Sequence, residues 1–138
     1  MHRHLIGVLG LAAATGCGNG TGPSGQLPVS FVAFETVAAG TALPVTAEGR
    51  NKAIVLTGGP GLSCGVSNAT AVAERTAKGI HIEFRFTPMD SCPFAPVDVA
   101  YTAIVEGVRN GRYRLTVAQR YWSDQPATEL YDDSLTVP

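Results

Sequence analysis

Lysine is nearly absent from this chain: Lys52 and Lys78 are the only two in 138 residues, and Asp, Glu, Lys and Arg together make up 15%. With ten Lys and Arg against eleven Asp and Glu, the formal charge is -1. Neither a nucleic-acid-binding surface nor a polyanionic tail is encoded. Histidine is also scarce. His2 and His4 sit at the start of the chain, which leaves His81 alone in its body. One imidazole with Glu83 two positions away does not make the three or four ligands of a metal site, so a solvated strand face is the expectation, with no metal and no cofactor. No C-x-x-C spacing lowers a thiol pKa, and no G-x-S-x-G elbow presents a serine such as Ser123. Asp132 and Asp133 lack the spaced acidic loop of a calcium site and are expected in a polar turn. An enzyme is not expected. The long apolar run, residues 5–14, is too short to cross a hydrocarbon core of about 30 Å as a helix.

What is present begins with a leader. Met1, His2, Arg3 and His4 form a short polar, positive start; the apolar run follows, and it meets Ala14-Thr15-Gly16-Cys17. That order is a secretion signal. Its small residues ending in cysteine resemble the lipobox of bacterial lipoproteins, with Ala14 standing where that family usually has Leu. The resemblance implies removal of residues 1–16, a diacylglyceryl thioether on Cys17 and acylation of the new amine with fatty acids such as palmitate. A thioether is also the inert state for a cysteine that would otherwise be an exposed thiol in an oxidising compartment. Several acyl chains, at about 0.8 kcal/mol per buried methylene, hold a protein to a bilayer essentially permanently. Residues 18–28, nearly all Gly, Ser, Thr, Asn and Pro, have no apolar periodicity and are expected, with Cys17, to form a flexible tether. Gly18 is not the Asp that tends to retain lipoproteins of this kind in the inner membrane, so the outer membrane is the expected location.

Residues 29–138 suit one domain, and 16 Gly and 9 Pro among many Val and Thr favour sheet with frequent turns. Side-chain alternation predicts strands over 29–37, 41–47, 53–57, 80–87 and 134–137. The first is apolar on both sides, as in a strand covered twice, and Pro44 marks the second as an edge or a bend. The Gly58-Gly59-Pro60-Gly61 run is expected to end the third. Residues 68–77 read either as an alanine-rich helix capped by Asn68 or as a hairpin arm turning at Lys78-Gly79; the hairpin is preferred, because 80–87 is the cleanest strand in the chain. Residues 99–119 read as two strands of an antiparallel sheet joined through 107–111.

With Cys17 assigned to lipid, Cys64 and Cys92 are the even pair left in an exported protein, and they are predicted to be bonded. Cys92 lies in a proline-pinned loop, 87–96. Val108, Asn110, Gly111 and Tyr113 resemble the corner of immunoglobulin-like and fibronectin type III-like sandwiches, with Asn110 where those families usually have Pro. The resemblance implies an all-β antiparallel sandwich of about seven strands in which the Tyr113 hydroxyl bonds back to the corner backbone.

Arg112, Arg114, Arg120 and Trp122 fall on one face of the strand that follows. They are the candidate binding surface, suited to a sugar, a phosphate head group or an acidic loop. The expected protein is a lipid-anchored, non-enzymatic module of the cell envelope, monomeric, held to the membrane by lipid and binding an envelope protein or glycan. A second reading is a protease inhibitor or assembly factor acting through 87–96.

Overall fold

Ile80, Ile82, Phe84 and Phe86 alternate with His81, Glu83, Arg85 and Thr87. In the computed structural model, which describes residues 25–122 and 124–138, the first four are fully buried in one strand. The leader, Cys17 and most of the expected tether lie outside the described residues. Nine strands form: β1 (Gln26–Leu27), β2 (Val29–Ala38), β3 (Ala42–Arg50), β4 (Ala53–Pro60), β5 (Val66–Thr76), β6 (Gly79–Pro88), β7 (Val97–Glu106), β8 (Gly111–Tyr121) and β9 (Thr128–Val137). They make two sheets, β1-β5-β6-β8-β9 and β2-β7-β4-β3, and no helix occurs among the described residues.

The two sheets face each other across one core. Phe84 and Phe86 from β6 meet Tyr101 of β7 and Phe31 of β2, with the Phe84 and Tyr101 rings 4.8 Å apart. Ile54 and Leu56 of β4 and Leu115 and Val117 of β8 complete the layer. Each such side chain contributes roughly 1.5–3 kcal/mol over its exposed state. The all-β sandwich and the Cys64–Cys92 bond are both present.

Several local expectations need correction. β7 and β8 are not neighbours: β7 pairs with β2 and β4 in one sheet, while β8 pairs with β6 and β9 in the other. Residues 107–110 carry the chain across the core, and buried Val108 plugs that crossing. Alternation reports which face a residue occupies and is silent on the neighbouring strand, so an arch and a hairpin look alike. β6 and β8 run parallel, so the sandwich is mixed rather than wholly antiparallel, with nine strands instead of about seven. β2 is an edge strand with Val32 and Phe34 half exposed, not one covered twice. β4 continues through Gly58 and Gly59 to Pro60, because Tyr101 fills the side-chain space at Gly58: a Cβ there would lie 2.5 Å from its hydroxyl. The β5–β6 turn falls at Ala77-Lys78, one residue early, and Asp132 and Asp133 lie inside β9 rather than in a turn before it. Pro44 does sit on an edge strand, at a register shift between Leu43 and Thr46.

Strand structure begins inside the stretch expected to be tether, before its end at Pro28. Gln26 and Leu27 pair with Glu74 and Ala73 of β5, and Leu27 is buried. The chain then changes sheets at Pro28, whose carbonyl accepts a bond from the Glu106 N–H at 2.9 Å.

Candidate functional site

The strand order gives the sandwich two unlike ends. Gly25 stands just before β1, and its carbonyl accepts from Arg75 N–H at 2.8 Å. That end also holds the loops 50–53, 76–79 and 106–111. β6 runs ten residues away from it, about 30 Å at strand rise. The opposite end holds 38–42, 60–66, 88–97 and 121–128, including the disulfide.

At the disulfide end, Phe94 stands fully in solvent at 107% relative exposure, between Cys92-Pro93 and Ala95-Pro96. Met89 (40%) and Val97 (47%) are exposed beside it. Gly65 lies between them, with a Cβ position 2.5 Å from the Val97 carbonyl and 3.5 Å from Met89 Sδ. A groove of about 360 Å³ lined by Phe34, Val66, Ser67, Asn68, Ala69 and Val99 lies nearby. An exposed phenylalanine forfeits its burial energy, so a sequence rule that sends Phe to the core misses this one. The neighbours signal only stiffness: two prolines and a bonded cysteine constrain a short loop without fixing which way its ring points.

Beneath the loop lies a buried polar knot. Tyr121 Oη donates to the Pro60 carbonyl and accepts from Gln119 Nε2, both at 2.6 Å. The fully buried Asp98 accepts from Val99 N–H through Oδ1 at 2.8 Å. Burial, and then the Asp98 charge, push the Tyr121 hydroxyl above its usual pKa, while its bond with Gln119 pulls the other way. Asp98 Oδ2 is buried without a hydrogen-bond partner among the described residues, while the Gln119–Tyr121–Pro60 bonds tie β8 to β4 at this end.

The Arg and Trp face does not come together. Arg112 lies at the Gly25 end of β8 and Trp122 just beyond its other end, about 30 Å away by strand rise. Between them Arg114 makes a two-pronged pair with Asp132 at 2.8 and 2.6 Å. Arg120 donates to Glu83 at 2.6 Å, and Arg85 reaches the same oxygen at 3.2 Å. Burial raises the Glu83 carboxyl, and the hydrogen bonds and charges of Arg85 and Arg120 more than offset it, so it titrates below its usual range. Trp122 has φ 60, which ends the alternation, and its side chain is partly exposed. His81 Nδ1 pairs with Thr116 Oγ1 at 2.8 Å. Among the described residues no three His, Cys, Asp or Glu side chains are placed to hold a metal ion.

The corner is built as the resemblance implies. Tyr113 Oη donates to the Arg109 carbonyl at 2.7 Å, across the loop that Val108 plugs. No family model, no curated protein and no solved structure matches this chain.

Proposed function

We propose that this protein is a lipid-anchored, non-enzymatic module of the cell envelope, held by acylated Cys17 to the outer membrane, whose sandwich binds an envelope partner through its disulfide end. The observation carrying this reading is polar geometry. The chain joins the sheet at Gly25, while the fully exposed Phe94 stands on a braced loop at the opposite end. A rigid aromatic held out at low entropic cost is the form of an interface anchor. The end where the chain enters the sheet and the end that carries Phe94 are about 30 Å apart.

Two measurements test it. Metabolic labelling with palmitate and membrane fractionation should both fail for Cys17→Ala; unchanged labelling would remove the anchor. Cross-linking in cells should recover an envelope protein or glycan with the native chain and lose it with Phe94→Ala, whose melting temperature should be unchanged because the ring touches no core.

The exposure of Phe94 also favours a second reading, in which 87–96 enters the cleft of an envelope protease or assembly enzyme. Inhibition of such a protease by the native protein but not by Phe94→Ala would select it.

A further inference from the structure

The charges of the loops are sorted by end. The loops 38–42, 60–66, 88–97 and 121–128 contain Asp90 and Asp124 and no Lys or Arg. The loops 50–53, 76–79 and 106–111 contain Arg50, Lys52, Lys78 and Arg109, which include both lysines of the chain, with Glu106 as their acid. Arg112 is exposed immediately beyond. Arg50 spends its charge on Glu48 at 3.3 Å, whereas Lys52, Lys78 and Arg109 make no ion pair among the described residues.

The basic loops form one built surface. Val108 N–H donates to the Lys52 carbonyl at 3.1 Å, and Tyr113 fixes the Arg109 carbonyl, so two cations from separate turns are held over one cleft. That cleft, about 470 Å³, is lined by Lys52, Gly107, Val108, Arg109 and Asn110. Lys52 is held at φ 56, an unusual conformation for a side-chain-bearing residue. Two unpaired cations with an amide and loop backbone between them suit a phosphate.

We propose that this end seats on the bilayer, with the phosphate of an anionic phospholipid between Lys52 and Arg109. The inference rests on the lipid-anchor reading and adds an orientation to it. Seven residues, 18–24, separate Cys17 from Gly25. Even fully extended, a segment of that length reaches no more than about 28 Å, which keeps the basic end at high effective concentration over the membrane. The loops of the opposite end carry no base, and Arg85 and Arg120 at the strand ends there both pair with Glu83, so the surface field turns the molecule with Phe94 outward.

The test uses the acylated full chain, reconstituted in vesicles of phosphatidylcholine alone or mixed with phosphatidylglycerol. Flotation reports the anchor. Amide exchange in 50–53 and 106–111 reports the seating. On the anionic vesicles these amides should exchange roughly fivefold more slowly for each cation engaged, and return to the neutral-vesicle rate in high salt. Lys52→Glu/Arg109→Glu should abolish the slowing, as salt does for the native chain without any substitution. Loops 60–66 and 88–97 should exchange alike on both compositions. Trp122, the single tryptophan, lies at the far end and should escape quenching by spin-labelled head groups.

Equal exchange on both vesicles, with flotation intact, would overturn the seating and leave the anchor standing. Failure to float would overturn both. Quenched Trp122 would mean the opposite end faces lipid. Slowing by inorganic phosphate on neutral vesicles, equal to that on anionic ones, would assign the cleft to free phosphate and refute the lipid proposal.

Discussion

Removing the disulfide, as Cys64→Ala/Cys92→Ala, should weaken the whole sandwich and loosen one end of it. The bond closes a loop with a sequence separation of 28. In the chain-entropy relation, ΔS is about -2.1 - 1.5R ln n, which gives roughly -12 cal/mol/K, or about 3.6 kcal/mol at 25 °C. The β5–β6 hairpin lies inside that loop, so the folded state keeps the two segments close without the bond, and the loss falls mainly on the unfolded side. Against a usual total of about 5–15 kcal/mol this is a large fraction, and near the transition it corresponds to a drop of roughly 15 °C in Tm for a domain of this size. Urea unfolding followed by Tyr and Trp fluorescence measures it. A freed denatured chain exposes more surface, so the m value should rise slightly as the midpoint falls. Amide exchange should quicken in 88–97 well before it does in the core of β6. A loss under about 1 kcal/mol, or a change confined to the loop with an unmoved midpoint, would refute the entropic account.

Three further outcomes follow from single groups. Tyr113→Phe removes the bond to the Arg109 carbonyl and should cost about 1 kcal/mol in urea unfolding at an unchanged m value. Tyr101 Oη is buried with no hydrogen-bond partner among the described residues, and burial pushes its pKa far up; Tyr101→Phe should therefore be neutral or stabilising by about 1–2 kcal/mol. Because the folded-state pKa of Tyr101 is raised, the stability it contributes is present below the unfolded value near 10 and lost as pH climbs through it, so the same variant should flatten the alkaline decline in denaturation midpoint. Glu83 has the opposite sign: its folded pKa is lowered, so its contribution is present above an unfolded value of about 4.3 and lost as pH falls through the folded one. The urea midpoint of Glu83→Gln should accordingly change less than that of the native protein between about pH 5 and 3.

The candidate contact end was half legible before any coordinates. Its stiffness could be read from Cys92, Pro93 and Pro96, because a bonded cysteine and fixed φ angles are local facts. The exposure of Phe94 could not, since the same ring in Phe84 or Phe86 is core. The Arg112 to Trp122 face failed for a related reason. Alternation put the three arginines on one side of β8, but Trp122 falls beyond the strand at φ 60, and β8 spreads the arginines along its length and gives Arg114 and Arg120 to acids on neighbouring strands.

What the residues determined alone was periodic or covalent. Ile80 to Phe86 with period two pointed to a half-buried strand, Gly111 and Tyr113 resembled a sandwich corner, and Cys64 with Cys92 made an even pair, because each of these signals is carried by a few residues or by cysteine chemistry. Tertiary structure decided which strands are neighbours, turning the 99–119 stretch from a hairpin into an arch between sheets and laying β8 parallel to β6. It also gathered Lys52, Lys78 and Arg109 in the loops of one end and left the loops of the other without a base. Both outcomes depend on closing loops between distant segments around a shared core, and the cost and reward of that closure are written in no single stretch of the chain.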